Sequence, residues 1–318
     1  SRTYSGNHSR NEMSNGVLKV DDERSWTFLT SNILRLQHSF GEHNLSGLVG
    51  QEWYERHTRS SHIEMYDQMI AGERNVGGFL KQGDKTNPAV IPTGAERESG
   101  SFSVFSEVNY NYAGKYMASV SFRTDGSTNF GKDNRYGTFY SFSGSWLVSR
   151  EAFMARQDVV SNLKLRMSYG TSGKEAGMDY LNYTLYSTSN TTFDYYRDHP
   201  AYQSAYGATI NQLGNDQLSW ETAYNLNIGV DVALLNNRIS LSADWYKRRN
   251  SDLIMSTTLP AANGVGRQYQ NVGEMENRGV ELVLNTHTVK GEEFNWFTTL
   301  TFSYNNNELT KLDQEKLT

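Results

Sequence analysis

Cysteine is absent from the sequence, proline occurs only four times, and no apolar run approaches the length of a membrane helix. Zero cysteines exclude a disulfide frame, thiol chemistry and thiolate metal sites. Four prolines set against 27 glycines exclude a proline-rich disordered chain. A helical span needs roughly 18 consecutive apolar residues, so spanning helices are excluded as well. A transmembrane barrel is not, because its strands show lipid on one face only and need about 10 alternating residues each. Such strands keep the average low, and mean hydropathy here is −0.66. Positive charge is also short: 30 Lys and Arg against 35 Asp and Glu give a net charge of −5, with no electrostatic footprint for nucleic acid. Catalytic signatures are missing too, with no G-x-S-x-G elbow, P-loop, G-x-G-x-x-G or H-E-x-x-H, so no enzyme class is indicated. The seven histidines do not cluster and the carboxylates are scattered, which nominates no metal site, cofactor or acid/base pair.

Aromatic residues are plentiful, with 20 Tyr, 14 Phe and 6 Trp, and they sit in runs that alternate in character at every second position. Residues 271–304 set the pattern. Val280, Leu282 and Leu284 alternate with Glu281, Val283 and Asn285; Phe294, Trp296, Leu300 and Phe302 then oppose Asn295, Thr299, Thr301 and Ser303. Period-two alternation across the short turn Val289 to Glu293 predicts an antiparallel hairpin with one apolar and one polar face. The same reading gives ten strands, at 25–38, 45–56, 102–112, 115–124, 138–148, 162–171, 222–235, 238–249, 279–288 and 294–304. Short turns (39–44, 113–114, 236–237, 289–293) fall on one side, and long connections (57–101, 172–221, 250–278) fall on the other. A transmembrane antiparallel up-and-down β-barrel has this asymmetry, with short periplasmic turns and long extracellular loops. In 222–235, Tyr224, Leu226, Ile228, Val230, Val232 and Leu234 oppose Asn225, Asn227, Gly229 and Asp231; in 239–246, Ile239, Leu241, Ala243 and Trp245 oppose Ser240, Ser242 and Asp244. An apolar face of this length covers about 25 Å at the usual tilt, which matches a bilayer. Tyr110, Tyr112, Tyr116, Trp146, Tyr224, Trp245 and Tyr304 near strand ends suit interfacial girdles. Segment 149–161 reads as a short helical turn on the short-turn side. A large soluble β-sheet protein with ordinary core alternation is the competing reading.

Two loops bear on binding. Asp125, Ser127 and Asn129 in TDGSTNFG open like a Ca²⁺ loop, but Gly131 is one position late and Tyr136 stands where the bidentate Glu belongs, so an Asx/Gly turn is favoured. Loop 172–221 gathers Phe193, Tyr195, Tyr196, Arg197, Tyr202 and Tyr206, together with His199. Exposed rings at such density stack on sugar or peptide substrates or anchor a partner protein. Packing of the loop against its neighbours is the alternative.

Four blocks, FRTDGSTNFGKDNRYGTFYSFSGSWLVSREAFM (122–154), LKLRMSYGTSG (163–173), LSWETAYNLNIGVDVALLNNRISLSADWYKRRNSDLI (218–254) and NVGEMENRGVELVLNT (271–286), resemble the barrel of SusC/RagA-type TonB-dependent outer-membrane transporters of Bacteroidota. The resemblance covers about 102–310. It implies a 22-stranded barrel closed by a plug, a TonB box, a SusD-like lipoprotein partner, and active uptake of glycan or peptide nutrients across the Gram-negative outer membrane, with lipid around the wall and no nucleic acid. Plug, TonB box and an aromatic terminal strand are not legible between Ser1 and the closing KLDQEKLT, so residues 1–318 are expected to be about half of a barrel domain. A soluble or surface β-protein that binds or degrades glycans is the second function class.

Overall fold

The computed structural model describes residues 2–5, 17–68, 79–81, 93–188, 208–260 and 265–312. Among these, the secondary structure is almost entirely extended. The strands are β1 (Arg2–Ser5), β2 (Val17–Phe40), β3 (His43–Gln68), β4 (Phe79–Lys81), β5 (Thr93–Tyr112), β6 (Tyr116–Ser127), β7 (Tyr136–Leu147), β8 (Val160–Lys174), β9 (Leu185–Thr188), β10 (Ala208–Gln212), β11 (Glu221–Leu234), β12 (Ile239–Thr258), β13 (Arg267–Lys290) and β14 (Asn295–Leu312). Twelve of them form one open antiparallel sheet in the order β1-β2-β3-β5-β6-β7-β8-β11-β12-β13-β14, with β4 on β3; β9 and β10 pair separately. Among the described residues no helix is long and apolar enough to cross a membrane, which says nothing of crossing by strands.

All ten expected strands are present, and several run far past their expected ends. The connections expected as loops at 57–101 and 250–278 are largely strand: β3 continues to Gln68, β5 begins at Thr93, β12 continues to Thr258 and β13 begins at Arg267. The ladder continues because backbone N–H and C=O groups pair whatever the side chains. Alternation fades there because apolar residues are few, as in RSSHIEMYD (59–67), where only Ile63 and Met65 mark one face. Strand β14 departs from the expected face pattern at its start. Phe297 falls on the polar face with Asn295 and Thr299 by its place in the alternation and stacks on His287 at 4.1 Å, Phe294 lies in the turn, and a register shift between His287 and Val289 puts one extra residue into β13 there.

The chain forms two compact units. The first, residues 1–29, 54–100 and 184–212, has a small core of Leu18 and Met65 with Val20 and Ile63 against it. His57 is stacked on Trp26 there, with a ring nitrogen 3.0 Å from each of Glu96 and Glu98. The second unit, residues 30–53, 101–183 and 213–318, contains most of the sheet. Its turns are tight: Gly41, Ala113, Gly114, Leu235, Asn236 and Asn237 all take left-handed backbone angles, as close hairpins require. The connection 148–159 contains two 3₁₀ turns, Val148–Arg150 and Ala152–Met154, where a short helical turn was expected.

The register turns the alternation into continuous rows across strands. One row reads Leu163–Val232–Leu241–Leu284–Leu300, the next Leu165–Val230–Ala243–Leu282–Phe302, and the third Met167–Ile228–Trp245–Val280–Tyr304. The band turns polar at Lys247–Arg278–Asn306 on one side and Thr286–Thr298 on the other, while on the neighbouring strands the same rows continue as Tyr169–Leu226 and Val160–Leu234–Ile239. An apolar belt with polar margins is what a bilayer selects. A packed apolar core of this unit, among the described residues, lies beyond the belt. Phe130, Ala176, Leu181 and Leu218 are buried there with Trp220, Ile254 and Tyr269 packed against them.

Candidate functional site: the polar face of the sheet

Residues between the apolar positions project from the opposite face, so polar groups at every second position on adjacent strands come together. Their centre is Arg166 on β8. Its Nε donates to Asp231 Oδ2 (2.7 Å), and its Nη2 donates to Asp231 Oδ1 (3.0 Å), Asp244 Oδ2 (3.1 Å) and Ser242 Oγ (3.3 Å). Ser242 donates in turn to Asp231 Oδ1 at 2.7 Å. The cluster closes over Gly229, where an added Cβ would stand 2.4 Å from Asp244 Oδ1 and 2.9 Å from Arg166 Cζ. A forked guanidinium held by two carboxylates fixes three strands to one another at a single point.

A second node lies on β5 and β6. Arg123 donates from Nε to Asp125 Oδ1 (2.6 Å) and from Nη2 to the buried Ser103 Oγ (3.0 Å), and sits 5.3 Å from the Phe105 ring centre. Phe105 in turn lies against Gly50, where a Cβ would be 2.5 Å from the ring. Of the wall positions expected from sequence, Asn225, Asn227, Asp231, Glu281 and Asn285 all lie on this face, and Asn285 Oδ1 accepts from Thr299 at 2.8 Å. Asp244 was placed on the polar face of 239–246 but not joined to a partner, and Arg166 and Arg123 were missed. A cation at an inward strand position facing aspartates on the next strands was the available signal.

Glu151 organises the short-turn end. Its carboxylate accepts from Tyr116 OH (2.7 Å) and Trp146 Nε1 (3.0 Å) and lies 3.4 Å from Lys115 Nζ. These bonds, Tyr116 first, hold its pKa below the ordinary glutamate range. Tyr112, Tyr116 and Trp146 stack in sequence above it at 6.2 Å spacing. At the other end, Glu175 bonds Asn129 Nδ2 at 3.1 Å, and burial pushes its pKa up. The TDGSTNFG segment ends β6 at Ser127 and then turns, with Ser127 Oγ accepting from Asn129 N. Among the described residues no group of three or more His, Cys, Asp or Glu side chains is placed to hold a metal. Phe193, Tyr195, Tyr196, Arg197, Tyr202 and Tyr206 lie outside the described residues.

A wide antiparallel sheet, lipid-compatible on one side and charge-paired on the other, is the wall of a barrel. The family of TonB-dependent receptor-like β-barrels matches residues 1–317. The chain belongs to that family. TonB-dependent receptor P3 of Formosa agariphila is 34% identical over 287 residues, covering 89% of this chain and 27% of that protein. SusC of Bacteroides thetaiotaomicron is 34% identical over 212 residues, covering 66% and 21%. The RagAB peptide transporter superposes with a TM-score of 0.85 at 27% identity, over 98% of this chain and 33% of that one. The outer membrane transporter YddB of Escherichia coli, 12% identical with a TM-score of 0.57, shares the fold alone. This TonB-dependent receptor chain therefore spans about a fifth to a third of the length of these relatives.

Proposed function

We propose that this chain is part of the barrel domain of an outer-membrane active importer that takes up glycan or peptide nutrients, is energised through TonB and works with a SusD-like lipoprotein. The observation that carries the reading is the opposition of two continuous faces in one sheet, a belt of apolar rows outside and the Arg166 and Arg123 networks inside. A barrel wide enough to need a plug needs energy from elsewhere, because an outer membrane holds neither ATP nor an ion gradient to drive it. Kinship with SusC and likeness to a peptide transporter support import as the activity and leave the cargo open between glycan and peptide. The aromatic segment Phe193, Tyr195, Tyr196, Arg197, Tyr202 and Tyr206 is proposed to contact cargo or the lipoprotein lid.

The test is uptake of labelled oligosaccharide and labelled peptide by cells carrying the full-length receptor, with and without TonB. TonB-dependent uptake of one of the two is expected. Replacing Tyr195 and Tyr196 by Ala should weaken that cargo or the lid by about 5-fold to more than 100-fold, the loss of a stacking contact of about 1–3 kcal/mol, with thermal unfolding unchanged. Uptake of neither, in a receptor present in the outer membrane, contradicts the import reading.

A further inference from the structure

The apolar face is not level. The row Trp146–Leu165–Val230–Ala243 runs beside Gly144–Met167–Ile228–Trp245, so an indole stands next to a glycine at one end and next to an alanine at the other. Between the two indoles a slot crosses the face diagonally from Gly144 on β7 to Ala243 on β12, about 14 Å over three strand spacings. Its volume is about 690 Å³. At the β7 end the space is open: the atom nearest to an added Cβ at Gly144 is Met117 O, at 3.9 Å. Gly144, Met167, Ile228 and Trp245 are exposed. Arg166 and Asp244 also border the slot, but their side chains are paired with each other in the polar-face cluster.

One end of the slot opens at fixed polar groups. Tyr116 and Trp146 border it, stack at 6.2 Å and both donate to Glu151, so their polar atoms lie toward the short-turn edge and their ring bodies toward the slot. The cations at this edge are Lys115, Arg150 and Arg156, and the carboxylates are Glu42, Glu151 and Asp158. The two signs are equal in number, so an anionic group is held there by a local contact and not by net charge. Lys115 lies 3.4 Å from Glu151. Arg150 is exposed, and among the described residues its guanidinium makes one bond, from Nη1 to Gly114 O at 3.3 Å, which leaves the fork to hold a phosphate. Gly114 lies two residues beyond Tyr116, roughly 7 Å along the strand. The headgroup layer outside the hydrocarbon is roughly 5–7 Å deep, so a phosphate on Arg150 and a chain entering the slot past Tyr116 stand at the separation that one lipid molecule spans.

We propose that this slot holds one glycerophospholipid of the periplasmic leaflet, with an acyl chain between Trp146 and Trp245 and its phosphate on Arg150. A level apolar row is covered by whichever chain is nearest, whereas a slot joined to a phosphate contact retains one molecule. The proposal rests on the reading that the apolar rows face a bilayer with the tight turns toward the periplasm.

The test reconstitutes the full-length receptor into vesicles of digalactosyldiacylglycerol, which has no phosphate, with a trace of phosphatidylethanolamine that carries a diazirine at the end of one acyl chain. A diacylglycerol with the same chain is the matched probe, and adducts are mapped by mass spectrometry after irradiation. Saturable labelling by the phospholipid is expected on the peptides that contain Gly144, Met167 and Ala243. Labelling should be about 10-fold weaker with Arg150→Gln, the loss of a charge-assisted bond, and with the diacylglycerol. Gly144→Phe should remove it, and Ala243→Leu replaces that variant if it does not fold. Leu300 and Phe302 on β14 lie in the same belt away from the slot and report ordinary bilayer contact. Equal labelling of slot and β14, or labelling indifferent to Arg150→Gln and to the phosphate, would overturn the proposal while the bilayer reading stands. A slot left unlabelled beside a labelled β14 would also overturn it and assign the slot to a protein neighbour. No lipid adduct at either place would overturn both the proposal and the bilayer reading beneath it.

Discussion

Gly229 and Gly144 lie on the same sheet, and an added methyl group meets very different surroundings at the two. At Gly229 it runs into Asp244 Oδ1 and Arg166 Cζ, on side chains that the network holds through Asp244 Oδ2 and the guanidinium nitrogens; at Gly144 the nearest atom is Met117 O at 3.9 Å. Gly229→Ala should therefore cost about 1–3 kcal/mol in urea unfolding of the lipid-reconstituted receptor, in the range of overpacked sites, and Gly144→Ala should be close to neutral. Equal effects would remove the argument that close approach at Gly229 assembles the cluster. Glu151 sets a pH dependence of known sign. Its pKa is lowered in the fold, so its contribution is present above the unfolded glutamate value of about 4.3 and is lost as pH falls through the folded value. The melting temperatures of the native protein and of Glu151→Gln should differ at pH 7 and converge as pH falls below the ordinary glutamate range. A gap that does not change with pH would show that the bonds from Tyr116 and Trp146 do not depend on the carboxylate's charge.

Single strands were the most legible part of the sequence. Ile228 and Leu241 could be placed on an apolar face from alternation alone, because a buried or lipid-facing row repeats every two residues. The register that joins them to Trp245, Val280 and Leu284 was not legible, since it is set by pairing between segments far apart in sequence. The extensions of β3 and β12 escaped for a related reason: their few apolar residues, Ile63 and Met65 in β3 and Leu253, Ile254 and Met255 in β12, do not make a long alternating run, and register shifts at Asn250–Ile254 break the period in β12. The polar wall was half legible. Asn227 and Asp231 were identifiable by position, whereas the Arg166 cluster depends on which strands are neighbours. The slot from Gly144 to Ala243 depends on neighbouring strands in the same way. At this scale the prediction is directional. Ile228→Arg or Leu241→Arg should destabilise folding into lipid vesicles by about 2–4 kcal/mol, as for a cation near the bilayer midplane. Asn227→Arg, on the other face of β11, should stay within about 0.5 kcal/mol. Similar losses at all three positions would mean that the faces do not see different solvents.

For the whole molecule, orientation follows from which edge of the sheet carries the tight turns. The turns at Gly41, Gly114, Asn237 and Gly291 share one edge with Glu151 and its aromatic stack. The connection at Lys132 lies at the opposite edge, beside the core of Phe130 and Leu218. In an outer-membrane barrel the tight turns face the periplasm. The direct measurement is thiol labelling of Lys132→Cys and Asn237→Cys variants of the full-length receptor in intact cells, using a membrane-impermeant reagent; both positions are exposed and the sequence has no cysteine of its own. Labelling of Lys132→Cys in intact cells, with Asn237→Cys labelled only after the outer membrane is opened, is the predicted result. Labelling of Asn237→Cys in intact cells, with Lys132→Cys protected, would contradict the account, and labelling of both would show that no membrane lies between the two edges of the sheet.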